Sequence, residues 1–456
     1  MVNLKQKATD FFNGYLYPIY VAFFVLIGHV CSIEIYSIPF IAISVCAGFI
    51  LCKDLKFFIS PLICFYYIFS RKSLRNDVFY STPYLIFYGV IVFAILASMA
   101  IHFIIYKKEI KIKNFTSSAF FKGLVLLAIT FLLNGLSSLE NYNVSNFAFG
   151  LLIVISFTIP FFLFSINLEI DKNTKNYLFY VLILTSIVIM AEFLYLYINN
   201  NVIQNGTINK GALDLGWGVS NNIGAIFAMF MPIYFYFAGT TKHTLLFYLG
   251  GLLTYVFVLL TLSRAAILFA TPILMACVLF LCIYKHKQRK QAILCTILLF
   301  SIAVVACFLL RERIYAAFNQ IIRAGFSDSG RFEYYRDGMN KFFSSPILGV
   351  GFGNSHGLNT SFVIVSPNYF HSTVIQLLAS CGAIGSAAYA YHRYQTIKLF
   401  ISVRKPYSFY MAMSILALLF TSLLDVHLFI IYPTLIYSTI LCIFEKQTLY
   451  EQENVL

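Results

Sequence analysis

Charge is scarce in this chain. Charged residues make up 11% of its 456 residues and hydrophobic residues make up 60%, and the mean hydropathy is +0.82. A soluble globular domain carries about 25% charged residues, so this composition excludes a soluble globule. The sequence predicts an all-α polytopic membrane protein.

Acidic residues and metal-binding motifs are scarce as well. The chain has 18 Asp and Glu residues against 32 Lys and Arg residues, which gives a net charge of +14. Most basic residues lie in short clusters between apolar runs, a pattern typical of membrane topology and not of a nucleic-acid-binding surface. The 10 cysteines lie inside or at the ends of apolar runs, so neither a disulfide framework nor a Cys/His metal site is indicated.

Apolar runs long enough to cross a bilayer, which takes about 20 residues, recur along the chain. They lie near 15–31, 35–52, 56–70, 84–106, 119–137, 147–166, 177–198, 223–238, 244–262, 265–284, 292–310, 371–391, 408–424 and 428–444. The run at 56–70 is the weakest, because it is short and contains Pro61. We therefore predict about 12 to 14 transmembrane helices. About 11 belong to an N-terminal bundle over 1–310, and about three lie in 371–456. An extracytoplasmic loop over 311–370, carrying a short amphipathic helix, separates the two sets.

Lysine and arginine are distributed differently between the loops. If the N-terminus is cytoplasmic, the inside loops are lysine-rich, as at 107–113 and 285–290, whereas the outer face is arginine-rich. The planar fork of arginine matches phosphate, while lysine is a hydrated point charge. Snorkelling at helix ends is the alternative interpretation for Arg311 and Arg313. Arg264, in a tight hairpin between two spans, is a stronger candidate ligand of an anionic substrate.

The stretch from Arg331 to His371 is the one extended segment that mixes arginines, glycines, histidines and aromatics without a spanning-length apolar core. Apolar residues at intervals of three and four predict a short amphipathic helix over 332–343. A G-x-G-x-G run that includes Gly351 and Gly353 follows. It could present backbone amides to a phosphate, or form a turn packed against a neighbouring helix. His371 opens the next span, and an imidazole can accept a proton near neutral pH.

Arginines that bind a diphosphate, together with a histidine that deprotonates a hydroxyl, fit a glycosyltransferase that uses a lipid-diphosphate sugar. Guanidinium groups would stabilise the charge that develops on the departing diphosphate. A metal-dependent design needs clustered carboxylates, and the outer candidates Asp328, Glu333 and Asp337 form no D-x-D pair. We therefore expect neither a metal nor a cofactor. The alternative is a flippase, which should carry its cations inside the bundle and show pseudo-repeats between its halves.

Four segments, in order along the chain, resemble motifs of the O-antigen ligase and polymerase superfamily of bacterial membrane glycosyltransferases. The segments are S-N-N-I-G-A at 220–225, S-R-A-A at 263–266, S-G-R-F-E-Y-Y with P-I-L-G-V-G-F-G-N within 329–354, and H-S-T-V-I-Q-L-L-A-S-C-G-A-I-G at 371–385. The resemblance covers roughly the C-terminal half. Two positions depart from it: Tyr335 stands where tryptophan is usual, and Ser372 stands where asparagine is usual.

The resemblance implies a helical fold of the class C glycosyltransferase type. The enzyme would pass a glycan from undecaprenyl diphosphate to a glycan or lipid-linked acceptor hydroxyl, with inversion, at the outer face of the bacterial cytoplasmic membrane. Ligase and polymerase activities remain open. The residues that match essential positions are Arg264 and Arg331 as arginines and His371 as the base; Arg336, Gly351, Gly353 and Asn222 are further candidates for substrate binding.

Overall fold

The structure of the protein is a computed structural model. It describes residues 2–70, 82–138, 141–199, 202–204, 207–215, 218–309, 311–312, 315, 330–354, 358–359, 366–367, 369–403 and 405–453. Two residues singled out in the sequence, Arg313 and Asp328, lie outside the described residues.

Helices dominate the described residues. They are α1 (Val2–Asn13), α2 (Leu16–Cys31), α3 (Glu34–Leu51), α4 (Ile59–Ser70), α5 (Thr82–Ile105), α6 (Ile112–Thr116), α7 (Phe121–Leu132), α8 (Val144–Asn167), α9 (Thr174–Asn199), α10 (Ser220–Thr240), α11 (Thr244–Leu260), α12 (Arg264–Ile283), α13 (Arg289–Leu309), α14 (Arg331–Ser344), α15 (Thr373–Ser402), α16 (Pro406–Thr421) and α17 (Ile431–Glu453). Each apolar run of the sequence coincides with one of these helices, which confirms an all-α polytopic membrane protein.

Seven of the described helices are long and apolar enough to cross a membrane, or up to eight if the bent pair Gln6–Asn13 and Leu16–Cys31 forms one span. Several other apolar helices are shorter; Phe121–Leu132 and Pro406–Thr421 are examples. The larger number of spans expected from the sequence therefore stays a prediction.

The central helix of the bundle is α10. It is buried over 83% of its apolar window and packs against α11, α12 and α16. Helix α17 packs along α8, and α15 packs against α7 and α14. By contrast α5 is only 17% buried over its window, as expected for a helix that faces lipid. The arrangement brings the first residues of α10 close to those of α12 and to the loop before α17.

Three short antiparallel strand pairs lie in the loops. They are β1 (Ile203–Gln204) with β2 (Thr207–Ile208), β3 (Asp214–Leu215) with β4 (Gly218–Val219), and β5 (Leu358–Asn359) with β6 (Ser366–Pro367). The first two pairs lie in the connection from α9 to α10. The described residues of that connection are therefore largely folded.

Helix α15 is broken at Gly382, whose φ of 62° and ψ of −161° are not helical. The break frees backbone groups on both sides, and the segment after α14 bonds to them. Val350 N donates to Ala379 O at 2.9 Å, and Ala383 N donates to Pro346 O at 2.8 Å. Backbone groups inside a membrane protein must be satisfied within the protein, so this segment ties α14 to α15.

At the opposite end of the bundle, Glu451 of α17 joins the starts of two other helices. Its Oε1 accepts from Lys175 Nζ at 2.9 Å and its Oε2 from Lys405 Nζ at 2.5 Å. Desolvation opposes the charged form of this carboxyl, but the two lysines outweigh it and lower its pKa to about 2. The contact holds the C-terminal helix against α9 and α16.

Candidate functional site

Several helices begin at one end of the bundle, and residues at or near the starts of four of them carry polar side chains of the candidate site. Helix α10 begins at Ser220, α12 at Arg264, α14 at Arg331 and α15 at Thr373. A helix N-terminus carries a partial positive charge and favours anions. Two of these helices begin with an arginine, the charge least favourable there. The arrangement therefore concentrates positive potential at this end.

Arg264 is held by a tight turn between α11 and α12. Leu262 adopts a left-handed φ of 53°, and the Ser263 hydroxyl caps α12 by accepting from Ala266 N at 3.4 Å. Gly224 of α10 faces this turn, and a Cβ there would lie 2.8 Å from Thr261 Oγ1. The S-N-N-I-G-A segment therefore permits the close approach of α10 to the turn that displays Arg264, whose side chain is exposed.

Arg331 is fixed between α14 and the loop that precedes α17. Its side chain is half-buried, and Nη1 donates to Leu424 O at 3.0 Å. Helix α14 packs on α15 through Gly338, where a Cβ would lie 2.3 Å from Ile375 Cγ2. A helix is thus present where the sequence predicted a short amphipathic one; it packs on α15, and Phe332 is 71% exposed.

His371 has a constrained backbone. Its φ is 53°, in the left-handed region that non-glycine residues rarely adopt. Tyr335 Oη donates to His371 O at 3.2 Å, and Phe370 N donates to the Oε1 of buried Gln376 at 3.0 Å. Strained backbone of this kind persists only where surrounding contacts impose it, and it is common at functional sites. These contacts fix the direction in which the imidazole points.

Asp425 is the hub of the site. It is 6% exposed; its Oδ1 lies 3.6 Å from His371 Nδ1 and accepts from Val426 N at 2.9 Å. Its Oδ2 accepts from Asn221 Nδ2 at 3.0 Å. Burial opposes the charged form, but His371, His427 and the Val426 amide outweigh it and hold the Asp425 pKa well below its ordinary value. Asp425 is therefore a carboxylate at neutral pH.

Lys210 lies on a helical turn of the connection between α9 and α10. Its Nζ donates to Asn221 Oδ1 at 3.0 Å. Desolvation lowers its pKa, and so do the positive charges of Arg264 and Arg331, while Asp425 acts in the opposite direction. The side chain of Lys210 is within electrostatic range of both arginines and of Asp425.

These contacts bring the three residues predicted to be catalytic to one place. Arg264 and Arg331 both interact with Lys210, Arg331 bonds the carbonyl next to Asp425, and His371 lies beside the Asp425 carboxylate. The site thus combines two guanidinium groups, one ammonium and one histidine with a neighbouring carboxylate. Such a set can bind an oxyanion and accept a proton.

Arg336 and Asn222 occupy different surroundings from the three central residues. Arg336 is exposed and lies five residues after Arg331, so a helix turns its side chain about 140° away. Asn222 is buried, and its Oδ1 lies 2.9 Å from the Nδ1 of buried His427. The Asn222 amide therefore supports His427 inside the bundle.

The G-x-G-x-G run is a packed turn, the second of the two interpretations that the sequence left open. Every amide from Gly349 to Gly353 donates within the chain. The acceptors are Ser345 O, Ala379 O, Ser380 O, Asn134 Oδ1 and Asn146 Oδ1. At Gly351, φ is 91° and a Cβ would overlap the Asn146 amide. Gly351 and Gly353 thus anchor the segment that ties α14 to α15.

Sequence reasoning missed Asp425, Asn221, Lys210 and His427 as parts of one site. Asp425 had a usable signal, because it is a single carboxylate between two apolar helices, where an ionisable residue is costly unless it is functional or paired. Lys210 and Asn221 had none, since a lysine and an asparagine in a polar loop are ordinary.

Residues 249–390 match the family model described as O-Antigen ligase. A search of curated proteins finds no match to the chain. The matched segment contains Arg264, Arg331 and His371, whereas Lys210 and Asp425 lie outside it. The match supports a glycosyltransferase-type role in polysaccharide biosynthesis. The match over residues 249–390 supports the O-antigen ligase and polymerase superfamily that the motifs resemble.

Proposed function

We propose that this protein is a metal-independent, inverting glycosyltransferase that takes a glycan from an undecaprenyl-diphosphate donor and joins it to an acceptor hydroxyl. The observation that carries the proposal is the meeting of Arg331 and His371, far apart in sequence, at the loop that holds Asp425. Arg264 and Arg331 both act electrostatically on Lys210 in the same site. The acceptor is a glycan or a lipid-linked saccharide, as in a polymerase or a ligase.

The donor diphosphate binds between the two guanidinium groups. The bond from the anomeric carbon to the phosphate oxygen breaks during transfer, and negative charge grows on the departing diphosphate. Arginine forks and helix N-termini are suited to stabilising that charge without reorganisation. The exposed side chain of Arg264 and the half-buried one of Arg331 leave room for the lipid-linked substrate.

His371 acts as the general base. Its Nδ1 faces Asp425, so Nε2 is the nitrogen turned away from the carboxylate. Nε2 takes the proton of the acceptor hydroxyl as the acceptor oxygen attacks the anomeric carbon from the face opposite the diphosphate. The carboxylate orients the ring and stabilises the imidazolium that forms. A general base such as His371 typically contributes about 10²- to 10⁴-fold to the rate.

The proposed location is the bacterial cytoplasmic membrane, with the site on its extracytoplasmic face. The end of the bundle that carries Arg264 and Arg331 is rich in arginine, and the opposite end carries lysine clusters such as 107–113 and 285–290. An excess of lysine marks cytoplasmic loops. Lipid-linked donor reaches the site from the surrounding bilayer.

The test uses purified protein, an undecaprenyl-diphosphate-linked glycan and a panel of acceptors, with EDTA present. His371→Ala and His371→Asn should abolish transfer and still bind donor; Asn is included because it tolerates the left-handed backbone at this position. Arg264→Lys and Arg331→Lys should lose transfer, since a point charge does not replace the fork. His243→Ala, at an exposed histidine of the α10–α11 turn, is the control.

Two results would refute the proposal. Full transfer by His371→Asn would remove the base from the mechanism. Movement of the intact lipid-linked glycan across a vesicle membrane, without cleavage by the wild type under any acceptor condition, would instead identify a flippase.

A further inference from the structure

Lys210 is a cation of the site that the chemistry above does not use. It stands at the start of a single 3₁₀ turn, Lys210–Ala212, which Asn209 caps by accepting from Gly211 N at 3.1 Å. The turn is tied back to the end of α9, because Asn209 N donates to Val202 O at 2.7 Å. Val202 and Leu213 are buried beneath it. The connection therefore presents Lys210 from a fixed base.

The hydrogen bond of Lys210 is one that an anion can replace. Asn221 Oδ1 takes one of the three donors of the ammonium, at 3.0 Å, and this oxygen belongs to a neutral amide. An ammonium attracts a negatively charged phosphate oxygen more strongly than the neutral oxygen of an amide. The Lys210 side chain is exposed, so a ligand can reach it.

The balance of charge favours an anion beside Lys210. Two guanidinium groups, Arg264 and Arg331, repel the ammonium, and one carboxylate, Asp425, attracts it. That carboxylate also serves His371 at 3.6 Å and Asn221 at 3.0 Å. Among these four groups the charge is net positive, and a diphosphate would complement it.

We propose that Lys210 is a third cationic ligand of the donor diphosphate, carried to it by the folded connection between α9 and α10. On binding, Nζ exchanges Asn221 Oδ1 for a phosphate oxygen of the diphosphate. This inference rests on the proposed function and extends it to a residue outside the segment that matches the family. A lysine serves here because the contact needs charge without a fixed fork.

Binding of polyprenyl lipids distinguishes a diphosphate ligand of Lys210 from a monophosphate ligand. Undecaprenyl diphosphate and undecaprenyl monophosphate are titrated onto wild-type protein in nanodiscs and onto Lys210→Gln, Lys210→Arg and the control Lys242→Gln. Lys242 is an exposed lysine in the α10–α11 turn. Lys210→Gln should weaken diphosphate binding about tenfold, which is about 1.4 kcal/mol, and monophosphate binding much less. Lys210→Arg should restore most of the loss, and Lys242→Gln should match the wild type.

Chemical protection provides a second measurement that needs no variant. A water-soluble amine-reactive ester labels accessible lysines of the wild type, and mass spectrometry follows Lys210 and Lys242 separately. Undecaprenyl diphosphate should reduce labelling of Lys210 at least fivefold and leave Lys242 unchanged, while monophosphate should protect Lys210 weakly.

The outcomes separate the two proposals. If Arg331→Gln loses diphosphate binding while Lys210→Gln binds as the wild type does and Lys210 is not protected, the role of Lys210 is refuted and the diphosphate site stands. Equal effects on diphosphate and monophosphate would make Lys210 a general phospholipid contact, which also overturns this inference. If the wild type does not prefer diphosphate to monophosphate, the donor site itself is refuted.

Discussion

Replacing Asp425 by Asn tests whether the carboxylate beside His371 acts in the reaction. The substitution keeps the size of the side chain, and one oxygen remains to accept from Val426 N or Asn221 Nδ2, at present 2.9 and 3.0 Å away. What it removes is the negative charge 3.6 Å from His371 Nδ1. The change therefore isolates the electrostatic role of Asp425 from its packing.

The expected magnitude follows from that distance. Two unit charges at 3.6 Å interact by about 4.6 kcal/mol at an effective dielectric constant of about 20 and by about 1.2 kcal/mol in water. The His371 side chain is 42% exposed, so the loss of imidazolium stabilisation lies between these limits. At 1.36 kcal/mol per factor of ten, kcat should fall by about tenfold to about a thousandfold.

Donor binding should respond in the opposite sense. Asp425 is the carboxylate that offsets the cations of the site, and it repels a diphosphate. Asp425→Asn should therefore bind undecaprenyl diphosphate at least as tightly as the wild type while kcat falls. The assay is single-turnover transfer of glycan from the lipid donor, with donor affinity and thermal unfolding measured on the same preparations. Glu333→Gln, at an exposed carboxylate of α14, is the control.

Full kcat in Asp425→Asn would refute the electrostatic role of Asp425, because the carboxylate would then not assist the base. A joint fall of donor affinity, kcat and the unfolding midpoint would also refute it. That pattern would show that Asp425 only holds the loop before α17 in place, through bonds such as Thr373 N to Asp425 O at 3.0 Å.

Two further predictions concern the scaffold. Gly338→Val places a side chain where a Cβ already meets Ile375 at 2.3 Å. We expect it to lower the free energy of unfolding by about 1–3 kcal/mol and to reduce transfer at least tenfold as Arg331 shifts, compared with the control Asn340→Val at an exposed position. Normal transfer by Gly338→Val would contradict the packing of α14 on α15. The two lysines lower the pKa of Glu451 to about 2 against desolvation. The stability that the Glu451 carboxylate adds to the folded protein is therefore present above pH 4.5 and is lost as the pH falls towards 2. Glu451→Gln should lower stability at pH 7 by about 1 kcal/mol and flatten that acid limb in thermal unfolding, and an unchanged acid limb would refute the assignment.

The helices could be predicted from the sequence because each depends on a local quantity, a run of apolar residues of spanning length. The run at 56–70, judged weakest, forms α4 (Ile59–Ser70) with Pro61 in its first turn, where proline is tolerated. The break at Gly382 could not be predicted this way. It depends on the segment at 346–351, whose backbone bonds replace those that α15 loses.

The candidate site was partly accessible from the sequence. Arg264 and Arg331 could be singled out because arginine at the end of an apolar run needs a reason, and His371 because it opens a span. Their meeting is a tertiary fact, since it requires α10, α12, α14 and α15 to start at the same end. The glycine run shows the opposite case, because its pattern fits both a phosphate loop and a packed turn. The tertiary acceptors of its amides decide between them, and two of these acceptors, Asn134 and Asn146, lie more than 200 positions earlier.

The same geometry explains why the site is costly to keep and why Asp425 must stay charged. Arg264 and Arg331 stand at helix N-termini, where the macrodipole disfavours a cation by about 0.3–1 kcal/mol each, and they repel Lys210. Without Asp425, the site would hold three positive charges and no negative one among these groups. This repulsion destabilises the folded protein, but it strengthens the binding of an anion, because the bound anion relieves the repulsion. Binding of the proposed diphosphate substrate, and not stability, would explain this arrangement.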